Sequence, residues 1–129
     1  MATRHEDWLK QAKRDLQHAR NSLDNQDYEW CCFAAQQASG KSVKALFQKL
    51  SADAWGHSVT MLLTNLPVSI KPNEEFIDKA RVLDRHYIAS RYPNSHPVGA
   101  PFQYYTGADA EKAIQYAEEI IRFCENNIS

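Results

Sequence analysis

The sequence predicts an all-α protein, an up-and-down antiparallel four-helix bundle with one additional short helix. Two observations carry that expectation. Apolar residues recur three and four positions apart in four separate segments, the period of a helix face turned to a core. No segment shows the sustained alternation of a half-buried strand. The 129 residues fit one domain over 1–129. Hydrophobic residues at 43% against charged residues at 24% suit a packed core rather than a disordered chain.

The first helix carries Trp8, Ala12, Leu16, Ala19 and Leu23 on one face, with Lys10, Arg14 and Asp15 on the others. Asn25-Gln26-Asp27 breaks it, and Asp27 has the chemistry of a cap for the next helix. That second helix runs from about Tyr28 to Leu50 through Trp30, Phe33, Ala34, Ala38, Ala45 and Leu46. The short turn between the two predicts antiparallel packing. Trp55-Gly56-His57-Ser58 reads as a turn, with Ser58 capping a short helix through Met61, Leu62 and Leu63. Pro67 and Pro72 mark a loop. Asn73 then caps a helix with a buried stripe of Phe76, Ala80, Leu83 and Tyr87. Pro93 disfavours helical geometry at Tyr92, so this helix is expected to stop near Arg91. Residues 93–105 read as an ordered loop. Thr106 and Asp109 have capping-box spacing before the last helix, whose stripe is Ala110, Ala113, Ile114, Ala117, Ile120, Ile121 and Cys124.

The net charge of -1 gives no bulk sign of a polyanion ligand, so any such function must rest on a local patch. No apolar run approaches the ~20 residues of a membrane span. The polar start Met1–Asp7 lacks the apolar stretch of a secretion signal, and cytoplasmic residence is the expectation. Three cysteines, Cys31, Cys32 and Cys124, form no C-x-x-C pair and are expected to be buried small hydrophobes. No H-E-x-x-H, P-loop or G-x-G-x-x-G pattern occurs, so neither a metal nor a cofactor is expected.

The chemistry concentrates in Arg91-Tyr92-Pro93-Asn94-Ser95-His96. A guanidinium binds phosphate through two parallel donors, and an imidazole moves a proton near neutral pH. Asp84, two helical turns before Arg91, shares its face and is placed to orient it. Lys79, Arg81, Arg85 and Arg91 face a single acid, Asp84, between positions 79 and 96, a local basic surface. Tyr87, Tyr92, Tyr104 and Tyr105 lie near it and have faces on which bases stack, although Tyr87 falls on the buried stripe. An arginine at a helix C-terminus also has a purely structural use, worth roughly 0.3–1 kcal/mol against the helix dipole. His57, at a helix start, reads as structural.

The chain resembles the HEPN (higher eukaryotes and prokaryotes nucleotide-binding) domain family. The matching pieces are Trp8–Ala12, Ala34-Ala35-Gln36-Gln37-Ala38 with Lys41–Leu46, Gly56-His57-Ser58, Leu83–Ile88, Ser90–Asn94, and Tyr105-Thr106 before Ala110. They keep their order over nearly the full length. The resemblance implies a helical bundle that forms a homodimer. It makes Arg91 and His96 the R-x4-6-H pair of the family ribonucleases, set opposite a second copy across a dimer cleft. Asp84, Arg85, Tyr92 and Asn94 are the supporting candidates for holding phosphate or a nucleotide. Three readings follow: a metal-independent, toxin-like endoribonuclease; a non-catalytic module binding RNA or a nucleotide, or paired with a nucleotidyltransferase; and a purely structural dimer. Two positions depart from the family pattern. Gly40 stands where glutamate is common in helix two, and Val98 stands where toxins modified by a nucleotidyltransferase carry a tyrosine.

Overall fold

The computed structural model describes residues 4–129; Met1, Ala2 and Thr3, the start of the polar N-terminal segment, lie outside them. The described chain is helical, with no β-strand among its residues. Four long helices dominate: α1 (His5–Asp24), α2 (Tyr28–Lys49), α4 (Glu74–Asp84) and α6 (Gly107–Ile128). A short α3 (Val59–Thr64) precedes α4, and a one-turn α5 (His86–Ala89) follows it. Single 3-10 turns occupy Pro93–Ser95 and Pro101–Gln103, inside the stretch expected to be an ordered loop.

Cross-helix contacts fix the directions. The backbone N–H of Arg4 meets Gln48, and Lys41 meets Asp15, so α1 and α2 are antiparallel. Lys13–Glu125 and Arg20–Glu118 pairs make α1 and α6 antiparallel. Phe76 packs on Phe123 and Lys79 pairs with Glu119, so α4 also opposes α6. The result is up-down-up-down for α1, α2, α4 and α6, the bundle expected from the sequence.

The stripe of α6 is buried as written in the sequence, from Ala110 to Cys124. Its capping box is complete: Asp109 N–H donates to Thr106 Oγ1 at 3.1 Å, and Thr106 N–H donates to Asp109 Oδ2 at 3.0 Å. Ser58 and Asn73 cap α3 and α4 by accepting from the N–H groups of Met61 and Phe76. All three cysteines are free and buried. Desolvation pushes the thiols of Cys31 and Cys124 up to about 12, so they serve as core side chains.

Three details differ from expectation. Asp27 occupies the N-cap of α2 but its side chain makes no capping bond. Its N–H instead donates to Ser22 O at 2.8 Å, with Gln26 N–H on Leu23 O and Gln26 at φ 64°. That is a Schellman closure of α1, and Ser51, at φ 57°, closes α2 in the same way. The helix expected to run to Arg91 ends at Asp84 and resumes as α5. Its buried stripe is Ile77, Ala80 and Leu83; Phe76 lies at the edge, and Tyr87 is half-buried.

Helix α2 is the centre of the bundle and is buried around most of its circumference, from Cys31 to Phe47. Apart from its two ends, the line of Trp30, Phe33, Gln37, Gly40, Lys41 and Lys44 is what keeps exposure. That line, at helical spacing, faces the surface on which the site lies.

Candidate active site

The site is built where α4 gives way to α5. Asp84, the last residue of α4, turns its carboxylate toward the start of α3. Its oxygens accept from Val59 N–H at 3.0 Å, Thr60 N–H at 2.9 Å, Thr60 Oγ1 at 2.6 Å and Ser58 Oγ at 3.0 Å. Gln36 Nε2, from the centre of α2, donates to it at 3.1 Å and to His57 O at 2.7 Å. A helix start leaves its first N–H groups without intrahelical partners, and Asp84 with Ser58 satisfies those of α3. Asp84 therefore ties α2, α3 and α4 together. It makes no hydrogen bond to Arg91, the partner expected from their shared helical face.

Helix α5 ends where Ser90 Oγ donates to His86 O at 2.6 Å. Tyr92 takes the extended geometry that Pro93 imposes on its predecessor, φ -123° and ψ 128°. The chain leaves the helix there and returns over it.

Arg91 lies on this last turn. Its Nε and Nη2 both donate to Tyr87 O, at 3.0 and 2.8 Å. Its guanidinium lies over the rings of Phe33, Tyr87 and Tyr92, with centroids 4.2, 4.9 and 5.1 Å from Cζ. Aromatic faces attract such a cation and hold it in one place. His96 is anchored to the same turn: its Nε2 lies 2.7 Å from Ala89 O. A carbonyl oxygen only accepts, so Nε2 carries the proton and the neutral ring keeps its lone pair on Nδ1. The ring stacks on Tyr104, centroids 4.3 Å apart and planes 16° apart, and the Tyr104 hydroxyl donates to Val98 O. Both side chains are half-buried.

The structure thus places Arg91 and His96 on one turn, each oriented by a backbone carbonyl of α5. Tyr92 joins Arg91 through its ring. Arg85 and Asn94 are exposed and share no hydrogen bond or ion pair with the pair. The local basic surface is thinner than the sequence suggests. Lys79 pairs with Glu119 at 3.3 Å, and Arg81 pairs with Asp78 and with Glu74 at 3.0 Å. Those acids come from another helix or precede the basic stretch, so a count between 79 and 96 misses them.

Phe33 and Tyr104 are the contributors that the sequence motif does not name. Phe33 reads as one more apolar residue of α2, and Tyr104 as one of several loop tyrosines. His57 packs on Tyr87, rings stacked at 4.7 Å, consistent with a structural part. His86 Nδ1 lies 2.9 Å from the Tyr105 hydroxyl, and burial lowers its pKa below the usual 6.5. At Gly40 an added Cβ meets nothing closer than Val59 Cγ2 at 3.8 Å, an ordinary contact. The glycine does not serve a close approach of backbones within the protomer.

The chain is similar to several known proteins. A Thermus thermophilus protein of known structure is 43% identical, with a TM-score of 0.95 over 98% of this chain and 99% of that one. An archaeal HEPN homologue is 40% identical, with a TM-score of 0.81 over the whole of both chains. A HEPN domain protein of Thermotoga maritima is 41% identical, with a TM-score of 0.76 over 93% of this chain and 95% of that one. A Methanocaldococcus jannaschii protein described as a candidate toxin is 26% identical over 123 residues, 88% of this chain and 81% of that protein. The HEPN domain family itself matches residues 5–127, and no helix among the described residues is long and apolar enough to cross a membrane. The chain belongs to the HEPN domain family.

Proposed function

We propose that the protein is a toxin-like, metal-independent endoribonuclease. It works as a homodimer, with Arg91 and His96 of each copy facing one another across a shared cleft. The observation that carries this reading is the orientation of His96. The Nε2–H bond to Ala89 O commits one nitrogen and leaves Nδ1 as a proton acceptor. In one copy Nδ1 takes the proton of a ribose 2′-hydroxyl as its oxygen bonds to phosphorus. In the other copy a protonated imidazole gives a proton to the departing 5′-oxygen as its bond to phosphorus breaks. The products are a 2′,3′-cyclic phosphate and a 5′-hydroxyl end. Arg91 commits Nε and Nη2 to Tyr87 O, so Nη1 is the donor offered to a non-bridging phosphate oxygen. One protomer supplies one imidazole, which is why two are needed. The similarity to a candidate toxin supports the toxin-like part of the reading.

The test is cleavage of a single-stranded RNA in excess chelator. Wild type is expected to cleave, and Arg91→Ala and His96→Gln to lose at least roughly a hundredfold of the rate. Glutamine keeps a donor for Ala89 O but has no base. Undiminished cleavage by His96→Gln would sink the assignment.

A second reading has one observation in its favour. With Lys79 and Arg81 neutralised, the positive charge around Arg91 matches a single phosphate better than a long polyanion. On that reading the site binds a nucleotide without cleaving, in company with a nucleotidyltransferase. Nucleotide binding that depends on Arg91, with no RNA cleavage by wild type, would establish it in place of the first.

A further inference from the structure

Beside the Arg91 turn, between α1, α2 and the loop before α3, is a cavity of about 190 Å³. Its walls include Trp8, Gln37, Gly40, Lys41, Lys44 and Gly56. Two of those walls are bare backbone. A Cβ at Gly40 would meet only Val59, and one at Gly56 would meet nothing within 4 Å. Gly56, at φ 91°, holds a conformation that other residues rarely adopt, so the opening is a feature of the turn itself.

The charge in this cavity is unbalanced. Lys41 is held by Asp15 at 2.5 Å. Lys44, one turn on, has no carboxylate partner among the described residues, and its ammonium lies 5.7 Å from the centroid of the Trp8 ring. Burial and the neighbouring Lys41 lower its pKa. A half-buried cation beside a second cation, without an acid to neutralise it, is suited to receiving an anion from solution.

The cavity shares walls with an opening that reaches the ring under Arg91. Lys41 and Gln37 line a second opening of about 230 Å³ with Trp30 and Phe33, and Phe33 is the ring under Arg91. Lys41 and Trp8 line a third, of about 400 Å³, that runs toward Arg4. His57 lines the Lys44 cavity and stacks on Tyr87, whose ring touches the same guanidinium. Lys44 lies eleven residues beyond Phe33 along α2, roughly 16 Å at 1.5 Å per residue. At one end Lys44 lies beside the Trp8 indole, and farther along come Trp30 and Phe33, with Lys41 neutralised by Asp15 between them. A cation beside exposed aromatic rings is the pairing by which proteins hold single-stranded nucleic acid without reading its sequence.

We propose that this groove is a flanking-nucleotide subsite: Lys44 binds a backbone phosphate a few nucleotides along the strand from the one at Arg91, and Trp8 stacks a neighbouring base. The inference rests on the cleavage reading above and names its substrate as an unpaired RNA strand several nucleotides long. Gly40 is part of the specificity, because a side chain there projects into the space the phosphate needs.

The experiment is titration of the protein with an uncleavable 2′-O-methyl RNA pentamer in chelator, at several salt concentrations. It is followed by fluorescence anisotropy and by the amide and indole NMR signals. Wild type is expected to shift the Trp8 indole and Gly56 amide signals. Lys44→Met is expected to weaken binding roughly tenfold and to reduce the slope of log K against log salt by about 0.7, one phosphate contact on a single strand. Lys44→Arg retains the slope, and Gly40→Glu weakens binding as Lys44→Met does. Lys49→Met, which removes an exposed charge at the end of α2 outside the groove, retains the wild-type slope. An unchanged slope in Lys44→Met overturns the proposal. So does a Trp8 indole that ignores the pentamer and moves only on dilution, which would mean that a second copy of the chain covers the groove. Lys44-dependent binding without any RNA cleavage would leave the subsite standing and remove the nuclease reading. Cleavage indifferent to Lys44 would do the reverse.

Discussion

Asp84 offers the sharpest test of how the site is held. Replacing it with alanine removes the acceptor of five hydrogen bonds. Three of the donors are side chains, on Gln36, Ser58 and Thr60, and these can turn to other partners. The two backbone donors, Val59 N–H and Thr60 N–H, cannot. Val59 is fully buried, and the first turn of α3 has no carbonyl to offer either group. Each stranded donor costs about 1–3 kcal/mol. Loss of a negative charge at a helix start adds about 0.3–1 kcal/mol. Asp84→Ala is therefore expected to cost about 2–7 kcal/mol. With an unfolding entropy near 2.1 cal/mol/K per residue, each kcal/mol lowers Tm of a chain this size by roughly 4 °C. A fall of roughly 8–28 °C is the expected result in a thermal melt followed by circular dichroism or calorimetry. Asp84→Asn keeps one acceptor oxygen and is expected to lose about half as much. A fall below about 4 °C for the alanine variant would refute the reasoning, because it would mean that the carboxylate is not what secures α3.

Other consequences can be measured on the same protein. Buried His86 has a lowered pKa, so the folded state binds fewer protons than the unfolded one. Its contribution is complete above about 6.5 and is lost as the pH falls below that value. Denaturant midpoints at pH 7.5 and 5.5 are expected to differ less in His86→Gln than in wild type. Gly40→Ala is expected to stabilise the fold by about 1 kcal/mol, or roughly 4 °C in Tm, since the methyl finds only an ordinary contact and alanine favours the helix. A drop in Tm would show that the wall at Gly40 is tighter than 3.8 Å to Val59 implies. Tyr104→Leu removes the ring stacked on His96. It is expected to lower kcat for RNA cleavage several-fold with little change in KM. The 15N shifts of the imidazole should report a loosened Nε2–H tautomer, and unaltered shifts would rule out a positioning role for Tyr104.

The legibility of this protein in its sequence is uneven for physical reasons. Helix α6 could be read almost residue by residue, because one face is buried and the other wet, and Thr106–Asp109 is a local cap. Ser58 and Asn73 were legible for the same reason: a capping bond spans three residues. Gln26 and Ser51 were not, since left-handed closing residues are usually glycine and these are not. The break after Asp84 was also hidden. No proline or glycine marks it, and Arg85 itself keeps right-handed helical angles, φ -60° and ψ -25°. At the site, the Arg91–His96 pair was visible as a motif, whereas its partners were not. Phe33 comes from α2, nearly sixty residues from Arg91, and the acids that neutralise Lys79 and Arg81 lie outside the basic stretch. Charge counted along a chain is not charge counted on a surface.

The turn that ends α5 has one more consequence. Arg91 reports to the carbonyl of Tyr87 and His96 to that of Ala89, so neither side chain takes its bearings from the other. The segment between them is a tether and not a ruler. It lets the imidazole reach back to the helix end. Within that tether Pro93–Ser95 form one 3-10 turn, and its last bond, His96 N–H to Pro93 O at 2.9 Å, hands the imidazole back toward the helix end. The spacing of guanidinium and imidazole is thus referred to a single helical turn, where backbone geometry is stiff.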